Sequence, residues 1–160
     1  MAREQFEMSN DLDQTDRQLL ELLQQDGLQS MAELSKAIGV APSTLNDRVK
    51  RLGRQGIITG THARLDPHAL GLNLLAFVFV GWSDGIVEAD FLKRIAASDQ
   101  VLECHHVTGG WNYLLKVRVA DTRALEAFLG NVLKQVKGLQ RTETLIVLSS
   151  PKETGKLATG

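Results

Sequence analysis

Residues 30–52 read SMAELSKAIGVAPSTLNDRVKRL, and this stretch decides the fold of the first third of the chain. Ser30 is followed three residues later by Glu33. That spacing fits a capping box, in which a hydroxyl and a carboxylate satisfy backbone N–H groups at a helix start. Ala32, Leu34, Ala37 and Ile38 supply the apolar content of a helix over 30–38, which Gly39 stops. A second helix begins near Pro42, because proline's missing N–H has no partner in a first turn. Leu45, Val49 and Leu52 stand at i, i+4 and i+7 and give it one buried stripe. Ser35 is small where the two helices approach most closely, and Gly39 stands where the chain must bend. Two short helices with so tight a turn have helix-turn-helix proportions.

Upstream, residues 1–10 are polar and read as a flexible arm. Leu12, Leu19, Leu20, Leu22 and Leu23 predict a further helix, capped by Asp13 or Thr15 and stopped at Gly27. Downstream, Gly53 and Gly56 bracket the end of the third helix, and Ile57-Ile58-Thr59 reads as a short strand. Residues 61–73 contain Asp66-Pro67 and Gly71 and read as a connector. Leu74 to Trp82 is then a strand, Ile86 to Ser98 an amphipathic helix and Val101 to Val107 a strand. Gly109-Gly110-Trp111-Asn112 is a turn. Tyr113 to Val119 alternates apolar and polar as a half-buried strand does. Asp121 to Val136 reads as one helix, Thr142 to Leu148 as the last strand, and 151–160 as a polar tail. The order strand–helix–strand–strand–helix–strand is that of a ferredoxin-like split βαβ unit.

The 160 residues are 43% hydrophobic and 23% charged, a globular composition rather than a disordered one. A net charge of -1 excludes a globally basic coat for nucleic acid. A local patch survives: segment 41–64 holds Arg48, Lys50, Arg51, Arg54 and Arg64 against Asp47 alone, a charge of +4. With short polar residues at the start of the third helix, that is the electrostatic footprint of a small DNA reader. A plain trihelical domain with a solvated basic face is the blander alternative. The longest apolar run, Leu74 to Val80, is too short to span a membrane. The opening Met1-Ala2-Arg3-Glu4-Gln5 lacks a leader's apolar core, so the expected location is cytoplasmic.

Cys104 is the only cysteine, which excludes an internal disulfide and a cysteine-based metal cluster. On a strand, Cys104 and His106 share one face while His105 takes the other. Two ligands are too few for structural zinc, so no metal, cofactor or catalytic residue is assigned. Thr108 to Asn112 is either a hairpin turn that needs its glycines or a loop whose free N–H groups receive an anion. Leu74–Val80 is apolar on both faces, whereas the helices of such a unit cover one face. A second copy of the chain is the simplest cover for the other.

These residues resemble the Lrp/AsnC, or feast/famine, family of transcription regulators over about residues 11–150. The resemblance rests on several stretches: Leu12-Asp13-Gln14-Thr15-Asp16-Arg17, Leu22 to Gly27, and Glu33 to Val40 with Pro42 and Arg48 to Leu52. It continues through Gly56-Ile57-Ile58, Leu65-Asp66-Pro67, Val101 to Cys104, Val107-Thr108-Gly109 and Tyr113 to Val117. It implies an α+β protein with a winged-type helix-turn-helix domain over 11–60. A ferredoxin-like βαββαβ domain over 74–150 would bind effector and dimerise. It implies a regulator that binds double-stranded DNA, is not an enzyme, and responds to a small molecule, usually an amino acid. The assembly expected is a dimer that builds higher even-numbered states, often octamers. The DNA-contacting residues expected are Ser43, Thr44, Asn46, Asp47, Arg48, Lys50 and Arg51, with Arg48 and Arg51 exposed. The effector is expected at Thr108, Gly109, Gly110, Trp111 and Asn112, with Thr142 and Thr144 of the last strand offering hydroxyls to an ammonium group.

The chain departs from the family's pattern at three points. Relatives carry acidic residues where Gly110 and Asn112 stand, so Gly110→Asp is expected to shift ligand preference. Ala41 replaces the usual N-capping serine, which leaves Ser43 as the nearest hydroxyl for a later start. Gly60-Thr61-His62-Ala63 lacks the family's aromatic. A chromosome-organising binder without an effector, or an enzyme of the tetrapyrrole-decarboxylating relatives of the fold using His105 or His106, are the other readings open at this point.

Overall fold

The computed structural model describes residues 12–83 and 87–160. The arm expected over residues 1–10 and the helix start expected at Ile86 lie outside them. Two compact units are present: one runs to Arg64 and takes in Glu153–Gly160, the other is Leu65–Lys152.

The first unit holds α1 (Gln14–Gln25), α2 (Met31–Ile38) and α3 (Pro42–Arg54). Asp13 caps α1, accepting from the Asp16 N–H at 2.8 Å. The capping box of α2 is formed in both directions: Ser30 N–H donates to Glu33 Oε2 at 2.8 Å, and Glu33 N–H donates to Ser30 Oγ at 3.2 Å. Gly39 turns the chain with φ of 79°, a conformation that favours glycine. The start of α3 is not shifted to Ser43. Pro42 occupies its first turn and Ala41 precedes it with no side-chain cap. Leu19, Leu34, Leu45 and Leu52 are fully buried together, one or two from each helix, with Val49, Ile57 and Ile58 packed against them. Removing any one of these leucines is expected to cost ~2–5 kcal/mol.

The strand expected at Ile57–Thr59 is absent. The N–H groups of Ile57 and Ile58 both donate to the Leu52 carbonyl, at 3.0 and 3.2 Å, so they close the end of α3 rather than pair with a strand. Residues 153–160 lie along α1. The Gln24 side-chain amide pairs with both the N–H and the carbonyl of Leu157, at 2.7 and 3.0 Å, and Lys156 meets Glu21 at 2.5 Å.

The second unit is built from β1 (Leu74–Gly81), α4 (Val87–Ala96), β2 (Val101–His106), β3 (Tyr113–Val119), α5 (Thr122–Phe128) and β4 (Arg141–Ile146). Its sheet is antiparallel in the order β2-β3-β1-β4. The helix expected to run from Asp121 to Val136 is broken. After α5 the chain makes a π-helical turn, Leu129–Leu133, with Lys134 N–H reaching back five residues to the Leu129 carbonyl. Gly130 lies within that turn, where a glycine weakens the regular helix.

Ala76, Val78 and Val80 of β1 and Tyr113, Leu115 and Val117 of β3 form the core with Phe91, Ile95, Leu125, Phe128 and Leu133. The alternate residues Leu75, Phe77 and Phe79 face the other way. In register beside Phe77 and Phe79 stand Leu114 and Lys116 of β3 and Glu143 and Leu145 of β4. Phe77 and Phe79 are half-buried and Leu145 is 48% exposed, so this face of the sheet carries an apolar patch, flanked by charges, that is open within one chain.

Candidate nucleic-acid interface and ligand loop

The basic third helix divides its charges into two sets. Arg48 donates from Nη1 to Asp13 Oδ2 at 2.6 Å and to Asp16 Oδ1 at 2.8 Å, while Arg51 meets Asp16 Oδ2 at 2.5 Å. The Asp16 side chain is 1% exposed, and those of Arg48 and Arg51 are 26% and 35% exposed. Burial pushes the Asp16 carboxyl up, but the hydrogen bonds from Arg51 and Arg48 outweigh it and hold the group below its usual range. The Asp13 carboxyl is held down by the Asp16 backbone N–H first and then by Arg48. Arg48 and Arg51 therefore lock α3 to the start of α1. The expectation that both are fully exposed is corrected: they are part-buried and ion-paired. Their spacing along α3 sets them beside the apolar stripe, and the buried carboxylate that claims them stands on another helix.

The other set is open. Ser43, Thr44, Asp47 and Lys50 are exposed and Asn46 is half-buried. Arg54, the last residue of α3, is exposed as well and joins this face. Two shallow depressions follow it. One is lined by Asp47, Lys50, Gly53 and Arg54; the other includes Thr44, Asp47 and Arg54 with the edge of the arginine lock. Arg54 belongs to the basic patch of segment 41–64 but not to the expected DNA contacts. Its place on the face of Lys50, four residues back, is the signal that finds it.

In the second unit Thr108 to Asn112 joins β2 to β3. Val107 N–H donates to the Asn112 carbonyl at 3.1 Å, and Asn112 N–H donates to the Val80 carbonyl at 2.9 Å. The Asn112 side-chain oxygen accepts from Trp82 N–H at 2.8 Å, so Asn112 ties the loop to the end of β1. Gly109 has φ of 102°, while Gly110 does not need a positive φ. The N–H groups of Thr108, Gly109, Gly110 and Trp111 have no hydrogen-bond partner among the described residues. Trp111 lies on the open face of the sheet, its ring 5.8 Å from that of Phe79.

Arg141 is the neighbour that the sequence did not single out. It pairs with Gly81 across β1 and β4, places its guanidinium 4.5 Å from the Trp111 ring centre and donates to the Gly110 carbonyl. Thr142 and Thr144 pair with Val80 and Val78, residues of the helix-covered face. The structure therefore does not bring the two threonines to the side on which Trp111 lies. Arg141 and Glu143 take that side.

The Cys104–His106 stretch packs against its neighbours in the sheet. Cys104 is half-buried against the core and burial pushes its thiol up. His106 stacks on Tyr113 at 4.8 Å, and the Tyr113 hydroxyl donates to Glu88 at 2.6 Å. That hydrogen bond, with burial, pushes the Tyr113 hydroxyl up to about 12. His105 points to Glu103 at 3.1 Å. No group of three or more metal-binding side chains exists among the described residues, and no helix among them is long and apolar enough to cross a membrane.

Two family models match the chain: a winged helix-turn-helix DNA-binding domain over residues 12–59 and an Lrp/AsnC ligand binding domain over residues 75–157. The leucine-responsive regulatory proteins of Klebsiella pneumoniae and Escherichia coli K12 are each 40% identical over 149 residues, covering 92% of this chain and 91% of theirs. A transcriptional regulator of Neisseria meningitidis solved with L-methionine has a TM-score of 0.87 at 32% identity, covering 91% of this chain and 96% of its own. A feast or famine regulatory protein of Mycobacterium tuberculosis, also solved with L-methionine, has a TM-score of 0.84 at 33% identity, with coverage of 92% and 99%. The AsnC protein of E. coli scores 0.83 at 32% identity, with coverage of 89% and 95%.

Proposed function

The chain belongs to the Lrp/AsnC family of transcription regulators, and from that premise we propose how it reads DNA and what it senses. The face of α3 made by Ser43, Thr44, Asp47, Lys50 and Arg54 enters the major groove. Lys50 and Arg54 anchor on phosphates, while Ser43, Thr44 and Asp47 meet base edges. The observation that carries this reading is the Asp16 lock. It engages Arg48 and Arg51 in ion pairs, ties α3 to α1 and leaves Lys50 and Arg54 on an exposed polar face. The effector is an amino acid or a close metabolite bound at the Thr108–Asn112 loop, in line with the L-methionine carried by two structural relatives. The open sheet face of Phe77, Phe79 and Leu145 is covered by a second copy of the chain, and dimers assemble to higher even-numbered states in the cytoplasm. Ligand binding shifts the population of these assemblies, and with it the spacing of the DNA-reading helices.

Salt dependence tests the DNA face. Lys50→Ala and Arg54→Ala are each expected to keep the fold. Each should lower the slope of log affinity against log salt by about one phosphate contact, roughly 0.9. Slopes equal to wild type in both variants would remove this face from the DNA interface.

A further inference from the structure

We infer that Arg141 and Glu143 are the residues that select the effector, Arg141 taking the carboxylate and Glu143 the ammonium group of a free α-amino acid. The inference rests on the effector reading above and names the residues and the ligand chemistry for that loop.

The register of β4 supplies the first argument. Arg141 pairs with Gly81 and Glu143 with Phe79, so both lie on the face where Trp111 rests on Phe79. Two residues apart on a strand, their Cα atoms are about 6–7 Å apart. Side chains so placed on one face can receive the two charged groups of a zwitterion, with one charge-assisted hydrogen bond at each end.

Arg141 is, second, held in place. A Cβ at residue 81 would sit 2.7 Å from Arg141 Nε and 3.2 Å from the Trp111 ring, so Gly81 is the space in which the guanidinium rests. Stacking on Trp111 and the bond to the Gly110 carbonyl fix its orientation. One of its five donors is used there, and the rest of the fork is free to receive a carboxylate. A cation fixed before the ligand arrives loses little entropy on binding.

Third, no ion pair among the described residues takes up the charges of Arg141 and Glu143. The loop itself carries no charged side chain, only Thr108, two glycines, Trp111 and Asn112. Its unpaired N–H groups favour an anion and give an ammonium group nothing. Glu143 is the carboxylate that the register brings to this face. The Trp111 ring beside Arg141 offers apolar surface to the amino acid's side chain.

The test uses the full chain and calorimetric titration with each standard amino acid. The tightest-binding amino acid is then compared with its 2-oxo acid and its decarboxylated amine. Wild type should bind the amino acid at least about ten-fold more tightly than either analogue. Arg141→Gln should weaken the amino acid about ten-fold and leave the amine unchanged. Glu143→Gln should weaken the amino acid similarly and leave the 2-oxo acid unchanged. Gly110→Asp gives a further arm. A Cβ there lies 4.0 Å from Arg141 Nη2, so the new carboxylate ties up the guanidinium, and affinity for the amino acid should fall. Wild-type affinity in both Arg141→Gln and Glu143→Gln, with wild type binding normally, would overturn this assignment and leave the effector reading standing. Wild type that binds no amino acid would overturn the effector reading, and this assignment with it.

Discussion

Replacing Arg48 and Arg51 together by alanine is expected to destabilise the first unit by about 3–5 kcal/mol, before any effect on DNA is counted. Asp16 is fully buried and its two oxygens are met by these two guanidiniums. Removing both leaves a buried carboxylate without a cation, and that is the expensive way to break such a pair. Lys50→Ala, on the exposed face of the same helix, should cost less than ~1 kcal/mol. Urea titration followed by the helical dichroism signal measures both, and equal losses in the two proteins would refute the lock. Asp13→Asn with Asp16→Asn should spare much of the stability, because no buried charge is then left unpaired.

Acid should have a related effect. The carboxyls of Asp13 and Asp16 titrate lower in the folded chain than in the unfolded one. Their stabilisation is fully present above about pH 4 and is lost as pH falls through the depressed folded values. The double alanine variant should lack most of that loss.

The second large effect concerns assembly. Phe77→Asp places a charge in the middle of the open sheet face, next to Leu145 and Lys116 in register. Buried unpaired against a second copy of the chain, that charge costs several kcal/mol, enough to dissociate a micromolar dimer. Phe77 is half-buried in the single chain, so Leu145→Asp serves as the companion variant. It is 48% exposed in one chain and should leave the fold intact. Light scattering should find the wild type at least dimeric and Leu145→Asp monomeric. If the two have the same mass, this face does not join copies.

Much of the architecture was legible because local chemistry and tertiary structure agree. The Ser30–Glu33 box, Gly39, Pro42 and the Leu45/Val49/Leu52 stripe each specify their own piece of backbone, and β3 shows its alternation openly. The failures have a shared cause, a partner distant in sequence. Ile57 and Ile58 look like strand residues, yet their N–H groups answer the Leu52 carbonyl. Arg48 and Arg51 look like surface cations until Asp16 is seen among the leucines. One signal was available: Asp16 precedes Leu19, Leu20 and Leu23 at helical spacing, which places an acid on the buried stripe of α1 and calls for a cation opposite. In the candidate ligand site, alternation shows that Arg141 and Thr142 face opposite ways. Only the pairing of Arg141 with Gly81 tells which of them meets Trp111. A slip of one residue exchanges every side chain between the faces, and the expected strand began one residue late.

The most direct test of a DNA-binding regulator that answers to an amino acid is the affinity of the full chain for a duplex selected from random sequence. Fluorescence anisotropy measures it with and without each amino acid, at fixed salt and with light scattering in parallel. The selected duplex should bind at least about a thousand-fold more tightly than random sequence. One amino acid or a small group of them should shift the affinity, the assembly size or both by five-fold or more. Equal affinity for selected and random duplexes, unmoved by any amino acid at millimolar concentration, would contradict both expectations.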